Sequence, residues 1–332
     1  MVEPEIKNVL VTGAGGFIGR HVCALLAQTG YSVRGTGRQS APDGEIAGLN
    51  SWARIEALNA DTDWNSALEG MDAVIHVAGR THIMRDSVAD PLAEYRRVNV
   101  AATETLARQS AQYGVKRFIF MSSVKVNGEC TGRLPDGSWE CFTEKDTPQP
   151  ADAYAVSKWE AEQVLAQASA QTGMEFIILR PPLVYGPGVG ANFLRLMRII
   201  DLGWPLPFAQ IKNQRSFIYV KNLANAVLTC LRSKSAAGRT YLVKDVDVSM
   251  PDLILAVGQA LGRRVRLFGV PPMLLQLGAY LLLRPRLIQR LLDSLVIDDT
   301  LIRRELSWSP PVPMQEALAR TVSWFRRVSW KA

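Results

Sequence analysis

The sequence predicts an α/β fold: a doubly wound, mostly parallel sheet with a smaller C-terminal lobe interleaved with it. Three observations carry this. Short apolar runs alternate with stretches of helical periodicity, the first run ends in a glycine-rich turn that opens a helix, and after Arg180 the texture changes to Pro- and Gly-rich loops. Parallel neighbours require crossover connections, which place helices on both faces of the sheet.

The elements follow in order. Asn8 to Thr12 is an apolar strand, Gly13-Ala-Gly-Gly-Phe-Ile-Gly19 is the turn, and Arg20 to Gln28 has helical periodicity that Gly30 stops. A second strand is expected at Tyr31 to Gly37, and further buried strands at Ala73 to Val77, Arg117 to Met121 and Glu175 to Leu179. Helices are expected at Asp90 to Tyr113 and Tyr154 to Thr172. Residues 1–179 thus form the first domain and 180–332 most of a second lobe, with 216–245 returning to the first. Ser216 to Val220 reads as a strand rejoining the main sheet.

Composition narrows the class. With 332 residues and 48% apolar content the chain is a globular core former, which excludes disordered and collagen-like classes. Four cysteines without CxxC spacing and only three histidines argue against a dedicated metal site, and scattered thiols suit a reducing cytoplasm. The acidic start, Glu3 and Glu5, runs straight into a strand pattern with no export signal, so the expected location is cytoplasmic. From Gly262 onward 12 Lys and Arg face 5 Asp and Glu, which equals the whole net charge of +7. That excess comes without aromatic interleaving or a nucleic-acid docking motif, so no nucleic-acid partner is expected. The apolar stretch Pro271 to Leu283, flanked by Arg284, Arg286 and Arg290, is short of the roughly 20 residues a membrane-spanning helix needs. A buried helix is its first reading and a membrane-surface helix its second.

Gly13, Gly16 and Gly19 sit where small residues let the backbone approach a pyrophosphate at a helix N-terminus, a Rossmann-type dinucleotide site. The second strand ends Val33-Arg-Gly-Thr-Gly-Arg38, with no acid to hold a ribose 2′-hydroxyl and two arginines suited to a 2′-phosphate. Arg38, then Arg34, are the candidates, so NADP(H) is expected ahead of NAD(H). Asp61 is placed to accept from the adenine amino group or, alternatively, to cap a helix starting at Asn65.

Tyr154-Ala-Val-Ser-Lys158 puts a phenol and an ammonium on one helical face. A phenol titrates near pH ~10, and a neighbouring cation is expected to lower it towards the working range for proton transfer. With the strand-end Ser122-Ser123 ahead of them, these residues predict hydride chemistry at an alcohol or ketone carbon, with Ser123, Tyr154 and Lys158 as the catalytic group.

In the combination Gly13-x-x-Gly-x-x-Gly19, His76-Val-Ala-Gly79, Val98-Asn99, Ser122-Ser123, Tyr154-x-x-x-Lys158, Arg180-Pro-Pro-Leu-Val-Tyr-Gly-Pro187 and Arg215-Ser-Phe-Ile-Tyr-Val220, the chain resembles the extended short-chain dehydrogenase/reductases. The resemblance, to the branch of nucleotide-sugar epimerases, dehydratases and 4-keto reductases, spans essentially the whole chain. It implies that Ser123 holds the reacting oxygen, that Asn99 supports the active-site helix, and that Phe17, Ile18 and Ala78 join the glycines, Arg38, Asp61, Asn99, Tyr154 and Lys158 around the cofactor. It assigns Arg215 to a substrate diphosphate and Asn192 to a phosphate or sugar, with Arg80, His82, Met84, Lys125 and Arg290 as further substrate candidates. A homodimer through the two long helices is implied as well.

Dehydratases of this family place Asp then Glu after the catalytic hydroxyl; Val124 and Lys125 stand there instead, and a charged lysine cannot abstract a proton. The loop Val124-Lys-Val-Asn-Gly128, with His82-Ile-Met-Arg85, resembles bacterial enzymes acting on UDP-linked 2-acetamido sugars. The expected activity is NADPH-dependent reduction of the C4 ketone of a UDP-4-keto-6-deoxy-N-acetylhexosamine. A UDP-glucose or UDP-N-acetylglucosamine 4-epimerase with bound NAD is the nearest alternative, and a non-catalytic NADP-binding sensor a remote one.

Overall fold

Seven parallel strands in the order β3-β2-β1-β4-β5-β6-β9 organise the first lobe of the computed structural model, which describes residues 6–39, 46–81, 88–281 and 291–329. The strands are β1 (Asn8–Thr12), β2 (Ser32–Gly37), β3 (Ser51–Arg54), β4 (Ala73–His76), β5 (Arg117–Met121), β6 (Glu175–Arg180) and, late in the chain, β9 (Arg239–Leu242). Their helices are α1 (Phe17–Gln28), α2 (Asn65–Leu68), α3 (Pro91–Tyr95), α4 (Ala102–Gln112), joined to α3 by a π-helical turn at Arg96–Ala101, and α5 (Ala153–Thr172). Alternation along β1 explains the double winding. Val9 and Val11 pack with Val22 and Leu26 of α1 on one face, while Leu10 packs with Leu106 of α4 and Leu165 of α5 on the other.

The second lobe holds a three-stranded sheet, β10-β8-β7, from β7 (Leu183–Tyr185), β8 (Arg215–Tyr219) and β10 (Val246–Val248). Around it lie α6 (Ala191–Asp201), α7 (Val220–Arg232), α8 (Met250–Leu261), α9 (Pro272–Leu281), α10 (Thr300–Leu306) and α11 (Met314–Ser329). Its own core gathers Phe193, Met197, Phe217, Ile254, Leu318 and Phe325.

One strand expectation is corrected. The Ser216 to Val220 stretch pairs in parallel with β7 and antiparallel with β10 inside the small sheet, and β9 is the strand that joins the main sheet, beside β6. The chain still crosses back, because α7 packs Leu223 and Val227 on the α1 face of the main sheet. The order reverses between β1 and β4, and the crevice at the carboxyl ends of those two strands is where such sheets bind ligands. A wide cleft of about 1680 Å³, lined by Lys7, Tyr31, Lys116 and Arg232 among others, lies instead at the amino ends of the strands, away from these residues.

Candidate active site

At the end of β1, Gly13 turns with φ +67°, and a Cβ there would stand 2.9 Å from the backbone of Ala78 at the end of β4. The two strand ends therefore touch, and only glycine permits both the turn and the contact. Helix α1 starts at Gly16 with no side-chain cap and no acidic residue in its first turn. Its positive end is left open to an anion, so the residues present fit a dinucleotide diphosphate. Phe17 and His21 of α1 reach the second lobe: Phe17 lies against Gly188, and His21 Nε2 donates to the Pro187 carbonyl at 2.8 Å.

Arg38 is exposed just beyond β2. Arg34 is engaged elsewhere, its guanidinium donating to Ser51 Oγ at 3.1 Å and to the carbonyls of Ser66, Ala67 and Glu69 at the end of α2, which withdraws it as a phosphate ligand. Asp61 is exposed beyond β3, and the cap to Asn65 is made by Asp63 Oδ1 at 2.8 Å, so Asp61 does not serve as that cap.

The reactive trio converges from two elements. Ser123 follows β5 in extended backbone, and its Oγ receives the Lys125 amide at 3.3 Å. Asp152 caps α5 by accepting from the Ala155 amide at 2.8 Å, which sets the first turn that carries Tyr154. Burial pushes the Tyr154 phenol up to about 12, and its hydrogen bond with Ser123 acts in the opposite direction. Lys158, 5% exposed, donates to the Met121 carbonyl at 2.8 Å and stands 4.5 Å over the Phe120 ring. Burial lowers its ammonium to about 8. The Ser123 hydroxyl thus pulls the phenol downward against burial, and Lys158 stands one helical turn further along α5.

Around the trio runs a buried support. Asn99, in the π-helical turn, accepts from the Arg80 amide at 2.7 Å, donates to the Arg80 carbonyl at 3.0 Å and to Ser157 Oγ at 2.9 Å, and Ser157 in turn donates to the Tyr154 carbonyl at 2.8 Å. A Cβ on Gly79 would meet Asn99 Oδ1 at 2.9 Å and Lys158 Nζ at 3.6 Å, so a side chain there displaces this support. Behind it the Ala78 amide donates to Thr12 Oγ1, Thr12 to His76 Nδ1 at 2.7 Å, His76 Nε2 to Thr103 Oγ1 at 3.0 Å, and Thr103 to the Asn99 carbonyl at 2.6 Å. That order of donors makes His76 a neutral Nε2–H imidazole. Burial holds it there, lowering its pKa to about 3, with the Lys158 charge adding to the effect.

A second buried group escaped the sequence reading. Glu162 receives the hydroxyl of Ser122 and two bonds from Arg180, at 2.9 and 2.5 Å, and Arg180 also donates to Asn127 Oδ1 at 3.0 Å. All four residues are buried, and they fix the end of β5, the end of β6 and the middle of α5 relative to one another. The available signal was spacing: Glu162 lies four residues after Lys158, on the same helical face.

The substrate candidates divide. Arg80 stacks over the Tyr95 ring at 5.3 Å, and that ring meets Tyr154 edge-on at 6.1 Å, which brings Arg80 near the trio. Lys125 is taken up by two carboxylates, Glu129 Oε1 at 2.7 Å and the capping Asp152 at 2.5 Å. Arg215 opens β8 half-buried and donates to the Asp293 carbonyl at 3.0 Å, while Asn192 is exposed at the start of α6. His82, Met84, Arg85 and Arg290 lie outside the described residues.

Fold and site together define a dinucleotide-dependent enzyme of the extended short-chain dehydrogenase/reductase type. A model of the "NAD dependent epimerase/dehydratase family" matches residues 9–243, and the chain belongs to that family. It is 37% identical over 324 residues to a UDP-glucose 4-epimerase of Vibrio cholerae, covering 96% of this chain and 95% of that protein. A second relative, N-acetyl-alpha-D-glucosaminyl-diphospho-ditrans,octacis-undecaprenol 4-epimerase of Escherichia coli O157:H7, is 29% identical, covering 82% of this chain and 78% of its own. A UDP-glucuronic acid 4-epimerase from Bacillus cereus, solved in complex with NAD, shares the fold with TM-score 0.75 at 23% identity, covering 97% of this chain and 99% of its own.

Proposed function

We propose that this chain is an NAD-dependent 4-epimerase of UDP-hexoses or their 2-acetamido counterparts, in place of the reductase expected from sequence. The observation that carries this, against elimination, is the paired Ser123 and Tyr154 with no elimination machinery beside them among the described residues: Val124 is buried and Lys125 is held by Glu129 and Asp152. Inverting a carbinol carbon needs one proton carrier, used twice. Ser123 positions the C4 oxygen, Tyr154 takes its proton and later returns it, and Lys158 supplies the positive charge that steadies the phenolate. Bound nicotinamide supplies the acceptor and return source of the C4 hydride. Arg215 and Asn192 hold the diphosphate side of the substrate, and between the two transfers the sugar would turn so that C4 offers its opposite face to the returning hydride while its oxygen again meets Ser123 and Tyr154.

The Vibrio cholerae relative supports the 4-epimerase assignment and the Bacillus cereus structure supports NAD. The family resemblance supports a homodimer through α4 and α5, and the scattered free thiols suit a reducing cytoplasm. A second reading, NADPH-dependent C4 ketone reduction for polysaccharide precursors, draws on Arg38 alone now that Arg34 is engaged. Incubating the protein with UDP-glucose or UDP-N-acetylglucosamine and NAD far below the sugar concentration separates the two. The 4-epimer accumulates to equilibrium under the first reading; no epimer, with NADPH consumed one-for-one against a UDP-4-keto sugar, establishes the second.

A further inference from the structure

Among the described residues, large apolar side chains stand in solvent together at one end of the second lobe: Leu202 at 67%, Trp204 at 62%, Phe268 at 47%, Met273 at 78%, Leu274 at 56% and Leu277 at 55% exposure. Backbone pairing brings the Leu202–Trp204 stretch beside Phe268, and α9 follows close in the chain. The Leu206 amide donates to the Arg266 carbonyl at 2.9 Å and the Phe268 amide to the Leu206 carbonyl at 3.0 Å, so the segment after α6 runs beside residues 264–268. Helix α9 begins four residues beyond Phe268. Leu275 packs inward on the lobe's core, while Met273, Leu274 and Leu277, on another side of the same helix, remain outside. An amphipathic helix ordinarily turns that face inward.

The charges around this patch are predominantly positive. Arg198, Arg264 and Arg266 are exposed on the same segments, Arg263 is paired with Asp201 at 3.0 Å, and residues 262–281 contain no acidic side chain. Exposed Trp, Phe and Leu beside unneutralised arginines complement an apolar interior bounded by phosphates. No helix among the described residues is long and apolar enough to cross a membrane, so the arrangement suits lying on a surface.

We propose that this end of the second lobe docks on an anionic phospholipid bilayer, with Trp204, Leu274 and Leu277 entering the headgroup boundary and Arg264 and Arg266 meeting lipid phosphates. Asn192 lies at the other end of α6, ten residues or about 15 Å along the helix from Leu202, so docking leaves the active-site crevice open.

The test is co-sedimentation of the full chain with phosphatidylcholine vesicles, with and without one-third phosphatidylglycerol. Binding is expected to be about tenfold stronger to the anionic vesicles, to weaken with salt, and to shift tryptophan emission to the blue in wild type but not in Trp204→Phe. The doubles Arg264→Glu/Arg266→Glu and Leu274→Ser/Leu277→Ser should each lose most of this binding while keeping wild-type turnover, which shows that they fold. Failure to bind vesicles, equal binding to both lipids, or unchanged binding in both doubles overturns the proposal. If the apolar double instead changes the oligomeric state in sedimentation velocity and vesicles do not bind, the face is an interface between copies and the proposal is equally overturned.

Discussion

The two lobes treat their polar side chains in opposite ways. In the first, the reactive and supporting groups are held by near partners: Tyr154 has Ser123, Lys158 has the Met121 carbonyl, Asn99 has Arg80 and Ser157, and Arg180 has Glu162. In the second, the substrate candidates stand at edges, Asn192 exposed and Arg215 half-buried with a backbone carbonyl as partner. Groups that move protons must be held in one geometry as charge develops, whereas groups that recognise a soluble diphosphate must remain open to it. On the proposed function, the first lobe holds the proton-moving groups and the second lobe presents the candidates for sugar recognition.

Substitutions that break this division should differ in kind as well as size. Tyr154→Phe removes the proton carrier and should lower kcat by about a thousandfold, with NAD affinity kept within a fewfold in fluorescence titration. Arg180→Met strands the Glu162 carboxylate in the core and should destabilise the fold by about 3–5 kcal/mol in urea denaturation. Arg215→Met, in the open lobe, should raise KM for the UDP-sugar by about ten- to a hundredfold with kcat nearly unchanged and no measurable loss of stability. A fall in kcat alone would place Arg215 with the chemistry and erase the contrast.

Two smaller effects sharpen it. The folded-state pKa of His76, about 3, lies below its unfolded value of 6.5, so the unfolded chain takes up the proton first and stability falls as pH drops. From pH ~6.5 to pH ~5 this amounts to about 2 kcal/mol, and His76→Gln should flatten that part of the profile. Lys125→Ala should change kcat/KM by no more than about threefold, since its ammonium is already taken up by Glu129 and Asp152 near the surface. A loss of hundredfold would restore Lys125 as a direct substrate contact.

Most of the first lobe was legible in sequence because buried parallel strands are continuous apolar runs and glycine turns have a strict spacing. Gly13, Ser123, Tyr154 and Lys158 follow from those patterns. What spacing does not reveal is which polar residue meets which. Arg34 and Arg38 look equivalent at the end of β2, yet Arg34 lies within the strand, where its guanidinium reaches the end of α2, and Arg38 lies just past it in solvent. The Ser122–Glu162–Arg180–Asn127 group joins residues up to 58 positions apart, and the motifs that contain Ser122, Asn127 and Arg180 do not say that they meet one another around Glu162. The Ser216 stretch looks like a main-sheet strand because a largely buried strand of either sheet has the same composition, and only pairing tells them apart.

The central claim, that one carbon gives up and regains the same hydride while Tyr154 alone carries its proton, is tested most directly with UDP-glucose deuterated at C4. The UDP-galactose formed is expected to keep its deuterium at C4, with none lost to water or to added unlabelled NADH, and Tyr154→Phe should abolish its formation. Washing-out of the label, or epimer formed at the wild-type rate by Tyr154→Phe, would contradict it.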